Sequence, residues 1–505
     1  MNIFDLYTEG RKGTFENFDL YKVSGPDREK YLQGQTTNDI ASLSVNSFHL
    51  NSRIDRGGKV QTFFLLLKKE DSLFILIDRE ISNESIDELS KFIIMDDLEI
   101  SKLPNIVSFE IGRKSENSSN DSFNSFLFGL PAAIFLEGKD SCYKELTREE
   151  KDFLCCYSGW PVLNEDVFLG QLINETRLDA LAVSYTKGCF LGQETVSKIH
   201  HGRGASYVPL RMLGSELSIG DFKIQGRKGG KVLRFAKDIT SLSVFREFRI
   251  ENKDFILEQD DLKVTSRFEN YLDQFSIEEF SNQLYHEAIR EFHNGHEDKS
   301  IEIFNAVIDL SPTFADAYES LGVIYGRQDK FEKGIELMDQ LLSVDESSVM
   351  AHTNKSLFLM KLGKIEEAEE EKGHATFKSF AMFGKEAEAK RDAQKIKEEK
   401  EEQMKQRESM FKQVLEIDPV DTIANFGMGD IYFYRNEYDL AKEHLETVLS
   451  EDSKYSTAYL LLGKVLEMKN DPSQAKAVYE KGIEVASAKG ELMPANEMQA
   501  RLVKL

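Results

Sequence analysis

The stretch YTKGCFLGQETVSKIHHGRG, residues 185–204, combines residue types that could do thiol chemistry. Cys189 follows Lys187 and Gly188 and precedes Gly192, and the two glycines allow the backbone to turn tightly around the thiol. From Gly192 onward the sequence predicts a short helix. A thiol at a helix N-terminus beside an ammonium group has its thiolate form favoured, because both neighbours are positive. The pattern therefore favours a reactive or ligating cysteine over a small inert core residue.

Gln193 and Glu194 open this predicted helix, and three roles for Glu194 stay open. It could cap the first turn, hold Lys187 or lie beside a bound ligand. The pair His200-His201 is a weak metal site, since adjacent histidines do not share a helix face and no further ligands are evident. We therefore predict no metal site and expect this end of the stretch to be a solvated loop.

Composition and charge narrow the class of protein. The 505 residues are too many for one core and predict two to four domains. A formal net charge of −24 disfavours broad binding to nucleic acid or anionic membranes. Four cysteines in so long a chain indicate a reducing compartment, and the adjacent pair Cys155-Cys156 is expected in a core. The N-terminus lacks an apolar signal segment and the run Phe63–Leu67 is too short to span a bilayer, so we predict a cytoplasmic protein without membrane contact.

The elements that must position the cysteine change character along the first half of the chain. The segments 59–68 and 72–78 have the pattern of adjacent strands, and 82–94 predicts a helix capped by Ser82 or Asn83. From Arg211 onward come short strands separated by glycine-rich turns, which is typical of a small antiparallel barrel. The first half is therefore predicted to be α+β with a β-rich end.

The second half is helical and repetitive. Gly429 and Gly463 are 34 residues apart, as are Ala441 and Ala475, and this is the period of the tetratricopeptide (TPR) repeat. Residues 315–345 resemble a whole unit, in which small glycines stand where two helices cross closely. Such helix pairs cannot bury their apolar faces alone, so neighbouring repeats must stack into an all-α solenoid.

The repeat phase slips once, by five residues, within 366–419, a segment rich in Glu, Lys, Gln and Ala that predicts one or two long helices. A solvated helix that bridges two repeat blocks is favoured over a coiled-coil contact, because apolar heptad positions are sparse. We place the domains at residues 1–205 (α+β), 206–268 (barrel), 269–372 (first repeat block), 373–410 (long charged helix) and 411–505 (second repeat block with a capping helix).

Three ordered motifs resemble those of YgfZ-type proteins, folate-binding relatives of the glycine-cleavage T-protein that are implicated in assembling or maintaining iron–sulfur enzymes. TKGCFLGQE resembles the family's K-G-C-[YF]-x-G-Q-E signature, and the segments 23–43 and 173–188 resemble its other two motifs. The resemblance covers roughly residues 1–265. It implies the T-protein-like α+β fold, a pocket for tetrahydrofolate or another reduced folate, and Cys189, Lys187, Gln193 and Glu194 as the functional residues.

The resemblance indicates the folate-contacting residues less specifically than it indicates the cysteine motif. Candidates are Gln33, Gln35, Asp39 and Asn51, with Arg203 and Lys198 for a phosphate or a folate glutamate tail. Turn formation is an equal alternative for Thr36, Thr37 and Asn38.

One departure from the T-protein bears on catalysis. Its paired acidic residues after a Gly-Gly turn, one of them catalytic, are replaced here by Gln61 and Thr62. The resemblance therefore implies an accessory factor rather than an aminomethyltransferase, although the enzyme question stays open.

The repeats predict a groove for a protein partner. Phe426, Phe433 and Tyr434 fall at inward positions and are candidate peptide contacts, with packing against the next repeat as the alternative. The leading hypothesis is a folate-binding accessory factor in iron–sulfur assembly or repair, whose repeats recruit an assembly protein or client. The alternatives are a tetrahydrofolate-dependent one-carbon transferase and a TPR scaffold with a degenerate folate domain.

Overall fold

The fold is described from a computed structural model that covers residues 2–113, 122–139, 141–202, 204–214, 217–249 and 253–502, with the side chains of 382–394 and 396–399 left out. The chain divides into two compact units, Met1–Lys372 and Gly373–Leu505. The first unit contains a large sheet, a barrel and the first helical repeats. The second unit is helical.

A nine-stranded sheet organises the first part of the chain. Its strand order is β1-β7-β9-β8-β3-β4-β5-β2-β6. The strands are β1 (Arg11–Thr14), β2 (Phe18–Ser24), β3 (Ser47–Ile54), β4 (Val60–Lys68), β5 (Leu73–Asp78), β6 (Glu99–Leu103), β7 (Ser108–Ile111), β8 (Ser122–Leu127) and β9 (Leu130–Phe135). The two predicted neighbours are β4 and β5, which pair antiparallel with Leu65 opposite Leu76. Their nearly unbroken apolar runs fit a sheet that is covered on both faces.

Six helices accompany this sheet. They are α1 (Ile3–Glu9), α2 (Arg28–Gln35), α3 (Arg79–Ser90), α4 (Arg148–Ser158), α5 (Leu178–Leu181) and α6 (Gln193–His201). Helix α3 corrects the predicted boundaries, since it begins at Arg79 and its N-cap is Asp78, whose side chain accepts a hydrogen bond from the Glu80 backbone. Ser82 is buried and donates to Asp19 instead of capping. The prediction failed because Asp78 both ends β5 and starts the helix.

Strand β3 separates two environments. Phe48, Leu50 and Ile54 belong to the main core, which also takes in residues from α4 and from the segment that leads into the cysteine. The other face of the sheet is covered by a second apolar cluster in which Phe64 packs with Leu32 of α2 and other helix residues. Successive strand residues point to opposite faces, so His49, Asn51 and Arg53 lie on this second face.

The predicted small barrel is confirmed. Six strands close in the order β10-β13-β12-β11-β14-β15. They are β10 (Tyr207–Leu213), β11 (Gly220–Ile224), β12 (Arg227–Ala236), β13 (Ile239–Phe245), β14 (Asp254–Gln259) and β15 (Leu262–Glu269). Arg234 of β12 connects the barrel to the preceding segment through a buried ion pair with Asp166 of 2.6 Å and a hydrogen bond to the Trp160 carbonyl.

Helical hairpins fill the remainder, as predicted. The helices are α7 (Ile277–His293), α8 (Glu297–Leu310), α9 (Ala315–Arg327), α10 (Phe331–Val344), α11 (Val349–Lys361), α12 (Ile365–Ile417), α13 (Thr422–Tyr434), α14 (Tyr438–Glu451), α15 (Ser456–Met468), α16 (Pro472–Lys489) and α17 (Leu492–Leu502). The expected close crossing is present, since a Cβ atom on Gly322 would lie 2.3 Å from the Met338 side chain. The phase slip falls within α12, a single helix of 53 residues. None of the helices within the described ranges is long and apolar enough to cross a membrane.

Candidate functional site

Cys189 is exposed and lies in the turn that leads into α6, three residues before the N-cap Gly192. The turn depends on Gly192, whose φ of +83° is left-handed and whose Cβ position would meet the Asp55 carbonyl oxygen at 2.3 Å. Gly188 has open space around it, so the predicted requirement for a second glycine is not supported. Lys187 and Phe190 are buried on either side of the exposed residue. The thiol is therefore accessible on a segment that is held at both flanks.

Lys187 holds the segment that carries the cysteine. Its ammonium group donates hydrogen bonds to the carbonyl oxygens of Thr36 at 2.7 Å and Asn38 at 2.9 Å. Burial lowers the pKa of Lys187 to about 8, against a smaller opposing effect of the Asp39 charge. The amine thus fastens residues 187–189 to the loop that follows α2.

The acidic and amide residues of the motif take other positions than expected. Glu194 is exposed and pairs with Lys198 at 2.7 Å, so it neither holds Lys187 nor caps the helix, whose N-cap is Gly192. Gln193 is half-buried and begins α6. Of the three roles left open for Glu194, only a place beside a ligand is compatible with these contacts.

The residues predicted to touch folate organise the loop after α2. Gln33 donates to the Asp39 carboxylate at 2.7 Å and accepts from the Ile40 backbone at 2.8 Å. Asn51 accepts from the Asn38 backbone at 2.9 Å. Gln35 is the half-buried last residue of α2. These contacts favour the turn-forming interpretation of the loop, and Arg203 lies outside the described residues.

Four polar atoms on the second face of the sheet are buried and have no hydrogen-bond partner among the described residues. They belong to His49, Asn51 and Arg53 of β3 and Thr62 of β4, and Thr62 lies directly opposite Arg53. Burial lowers the pKa of His49 to about 3, so its ring is neutral at physiological pH. We call Asn51, Arg53 and Thr62 the strand face. Buried polar atoms normally find partners, so this concentration is unusual.

A cleft of about 890 Å³, the barrel cleft, lies between the segment that leads into the cysteine and the barrel. Its walls come from residues 174–185, from α6, from β10 and from the residues after β13 and β15. The polar and aromatic side chains of the lining include Asn174, Arg177, Asp179, Tyr185, His200, Arg246, Arg249 and Tyr271. The volume falls within the range of sites that enclose small organic ligands.

Two deeply buried side chains of the barrel cleft have unused polar atoms. Asn174 is 5% exposed and its Oδ1 has no partner, while its Nδ2 donates to Asp179 at 2.7 Å. Arg177 is 7% exposed and its Nε has no partner, while its Nη2 donates to the Leu272 carbonyl. Burial lowers the pKa of Arg177 to about 10. Both residues line the cleft, and each keeps one buried polar atom without a hydrogen-bond partner among the described residues.

Tyr185, His200 and Asp179 form a network at the wall of the cleft. The Tyr185 hydroxyl donates to Asp179, and its ring stacks on His200 with ring centres 3.9 Å apart. His200 Nδ1 lies 3.3 Å from the same carboxylate. Both histidines belong to α6, so the expectation of a solvated loop is wrong for them. No group of potential metal ligands was found in the described part of the chain.

The candidate partner residues of the repeats are not equivalent. Phe426 stacks on Tyr455 with ring centres 5.1 Å apart, and Phe433 packs near Tyr438 at 6.0 Å. These contacts belong to packing between helices. Tyr434 is exposed, with the Lys400 ammonium 4.8 Å from its ring centre. Of the three, Tyr434 is the one with an exposed side chain.

Sequence reasoning missed Asn174 and Arg177, and of the strand face it named only Asn51 as a ligand contact. The stretch NETR at 174–177 was used only as part of a motif, although four consecutive polar residues in a half-apolar segment are a signal. The strand face gave no local signal, because it requires the register that places Arg53 opposite Thr62.

Both halves of the chain are similar to known proteins. Tetratricopeptide repeat models match residues 315–348 and 426–489. An uncharacterized protein of Haemophilus influenzae is 26% identical over 197 residues, covering 37% of this chain and 68% of the relative. The tRNA-modifying protein YgfZ of Photorhabdus laumondii is 27% identical over 225 residues, covering 38% of this chain and 67% of the relative. The YgfZ protein of Yersinia pseudotuberculosis is 27% identical over 237 residues, covering 41% and 71%.

Among solved structures, the glycine cleavage system aminomethyltransferase T from Bartonella henselae aligns with a TM-score of 0.45 and 13% identity. The alignment covers 52% of this chain and 86% of that protein.

Proposed function

Since the chain combines a YgfZ-like N-terminal region with tetratricopeptide repeats, we propose that it is a folate-binding accessory factor for iron–sulfur proteins. In this proposal the barrel cleft holds a reduced folate, Cys189 supplies an accessible thiol, and the repeats recruit a client or assembly protein. The observation that carries the proposal is the barrel cleft itself, with its two unused buried polar atoms beside the cysteine segment.

The polar groups of the barrel cleft fit the chemistry of a reduced folate. A pterin ring has both N–H donors and acceptor atoms, which suits a site with the free Oδ1 of Asn174 and the free Nε of Arg177. The glutamate end carries carboxylates, and Arg246 and Arg249 add positive charge to the lining. We therefore assign the pterin to the buried end near Asn174 and the carboxylates to the arginines of the barrel.

In this proposal the Cys189 thiol and the bound folate have different functions. Cys189 is exposed, whereas the barrel cleft is lined by residues that precede and follow it in the chain. A bound folate would stiffen segment 174–185, which leads directly into the cysteine turn. An accessible thiol can hold or exchange a sulfur or iron species with a partner, and the chain's other cysteines are too few and too far apart in sequence for a complete set of cluster ligands.

The name of the Photorhabdus and Yersinia relatives refers to tRNA modification. The formal net charge of −24 disfavours direct tRNA binding by this chain. We therefore place any effect on tRNA in a client enzyme that this protein supports, and we assign the client to the repeats.

Calorimetry with tetrahydrofolate under reducing conditions tests the folate site. We expect binding by the full chain, and Arg249→Met should weaken it about tenfold because it removes a charge-assisted hydrogen bond to a carboxylate. Arg227→Met is the matched control, since Arg227 is an exposed barrel arginine that does not line the cleft. Absence of binding by the unaltered chain would reject the folate assignment and favour the scaffold alternative.

The thiol is tested separately in cells that lack the native gene. Cys189→Ala should leave tetrahydrofolate binding unchanged and should abolish the recovery of iron–sulfur enzyme activity. Cys142→Ala is the matched control, because Cys142 is also exposed and lies outside the motif. Full recovery by the Cys189 variant would remove the thiol from the proposal. Catalytic formation of methylene-tetrahydrofolate from an aminomethyl donor would instead revive the transferase alternative.

A further inference from the structure

We propose that the strand face binds a small oxyanion, the shared chemistry of phosphate, sulfate and carboxylate groups. The site is formed by Asn51 and Arg53 of β3 and Thr62 of β4, and it is distinct from the barrel cleft, which none of these residues lines. It does not depend on the proposed folate function.

The first support is the burial of three unused polar atoms side by side. Asn51, Arg53 and Thr62 are 0%, 5% and 1% exposed, and Asn51 Nδ2, Arg53 Nε and Thr62 Oγ1 have no hydrogen-bond partner in the part of the chain that the structure describes. Leaving a buried polar group without a hydrogen-bond partner destabilises the folded chain. Three such groups in adjacent positions are expected when the protein supplies one surface of a binding site.

The second support is that the orientation of Asn51 is fixed. Its Oδ1 accepts hydrogen bonds from the backbone nitrogens of Asn38 and Ser52, both at 2.9 Å. If the amide were flipped, its NH2 group would face these two N–H donors and could not accept from either. The assignment of Oδ1 and Nδ2 is therefore fixed. The free atom of Asn51 is therefore a donor.

The third support is that all three residues of the strand face can donate a hydrogen bond to the same ligand. Arg53 Nε and Asn51 Nδ2 can only donate, and the Thr62 hydroxyl can donate its proton. The carboxylate recorded nearest Arg53, Glu88, lies 3.9 Å away, beyond hydrogen-bond distance, and it pairs with Lys91. A single water accepts at most two hydrogen bonds, so it would leave one of the three donors unpaired. An oxyanion accepts from all three and offsets the positive charge of Arg53.

The spacing suits one small group. Arg53 and Thr62 are directly opposite on paired antiparallel strands, and Asn51 is two residues from Arg53 on the same face. Such neighbours are about 5–7 Å apart at Cβ, which three donors can span around one tetrahedral or planar anion. The guanidinium also lies 5.4 Å from the ring centre of Phe92, which is half-exposed after α3 and marks the side from which an anion enters.

Calorimetric titration of the full chain with inorganic phosphate and with acetate, at constant ionic strength in a chloride buffer, tests the site. We expect one equivalent to bind, with preference between the two anions distinguishing a phosphate ligand from a carboxylate ligand. Thr62→Val should weaken binding about tenfold, because it removes one hydrogen bond to a charged group without changing the side-chain shape. Thr62→Ser should bind like the original chain.

Gln61→Ala is the matched control, because Gln61 is exposed and is the adjacent residue of the same strand. Asn51→Asp gives an independent test, since it keeps the acceptor oxygen and replaces the free donor by a charged oxygen. Asn51→Asp should abolish anion binding while the chain stays folded. If Thr62→Val does not fold, the result with Asn51→Asp tests the proposal by itself. Unchanged anion binding in both variants would overturn the proposal, as would failure of the unaltered chain to bind either anion. Tetrahydrofolate binding should be unaffected by Thr62→Val, and its loss would overturn the separation of the two sites.

Discussion

The region around the cysteine and the second repeat block are stabilised in opposite ways. Around the cysteine, buried polar groups such as Lys187 and Asn51 bind loop backbone and leave some donors free. In the second block, glycines contact aromatic rings, and a Cβ atom on Gly463 would lie 2.1 Å from the Tyr479 ring. The comparison teaches that close packing of side chains determines the structure of the second repeat block. Around the cysteine, a hydrogen-bond network determines the structure and leaves some buried donors unpaired. A polar network with unpaired groups can bind a ligand in its interior, whereas a close-packed block can bind a partner only on its surface.

The largest effect is expected from removing a buried charge partner in the polar region. Arg234→Met leaves the buried Asp166 carboxylate without its cation, which should cost about 3–5 kcal/mol of unfolding free energy. The measurement is urea denaturation followed by the fluorescence of Trp160, the one tryptophan of the chain, whose carbonyl accepts from Arg234. Arg267→Met removes an exposed barrel pair with Asp254 and should change stability by less than about 0.5 kcal/mol. Equal losses of unfolding free energy in Arg234→Met and Arg267→Met would contradict the expected difference between a buried and an exposed ion pair.

The second prediction concerns pH and Lys187. Its folded pKa of about 8 lies below the ordinary value of 10.5, so the unfolded chain binds more protons between these values and stability rises with pH across that window. The gain is on the order of 3 kcal/mol and is complete near pH 10.5. Denaturation at several pH values should show this rise in the original chain and lose it in Lys187→Met. Parallel pH profiles for the two proteins would show that the amine is not the titrating group.

A third prediction tests the close packing of the repeats. Gly463→Ala forces the Tyr479 ring to move and should destabilise the second block by about 2 kcal/mol, as overpacking does. Gly373→Ala is the matched helical control, since nothing lies within 4 Å of its Cβ position, and it should stabilise by about 0.5–1 kcal/mol. Hydrogen exchange of α15 and α16 measures the first change. If hydrogen-exchange protection of α15 and α16 is unaltered in Gly463→Ala, close packing at this position does not stabilise the second repeat block.

The smallest change in stability is expected on replacing Tyr434, whose aromatic ring is exposed. Tyr434→Ser should alter stability by less than about 0.5 kcal/mol, because the side chain is nearly half exposed and packs little. If Tyr434 contacts a partner, the same variant should reduce recovery of a client from cells, measured against the original chain by quantitative mass spectrometry. A loss of stability above 1 kcal/mol would assign Tyr434 to the packed framework instead.

The sequence predicts the parts of the fold that depend on local periodicity. The 34-residue spacing of Gly429 and Gly463 is enough to place the repeats, and the short strands with glycine turns predict the barrel. The start of α3 was missed because one residue, Asp78, serves both strand and helix.

The candidate site was predicted less completely, because its contacts join residues far apart in the chain. Lys187 binds the carbonyl of Thr36, 151 residues earlier, and that pairing decides that the amine turns away from solvent. Asn174 and Arg177 become candidate ligand-binding residues only when the barrel, more than thirty residues later, closes over them. The motif alone therefore located the accessible thiol and could not locate the cleft.

The distribution of the four cysteines gives the molecule a built-in chemical reporter of its own integrity. Cys142 and Cys189 are exposed, whereas Cys155 and Cys156 are enclosed, and burial raises the pKa of Cys155 to about 11 and that of Cys156 to about 12. A brief pulse of an alkylating reagent should thus add two labels to intact molecules and four to unfolded ones. The mass of the labelled chain would then count the intact fraction in a mixture without any engineered tag.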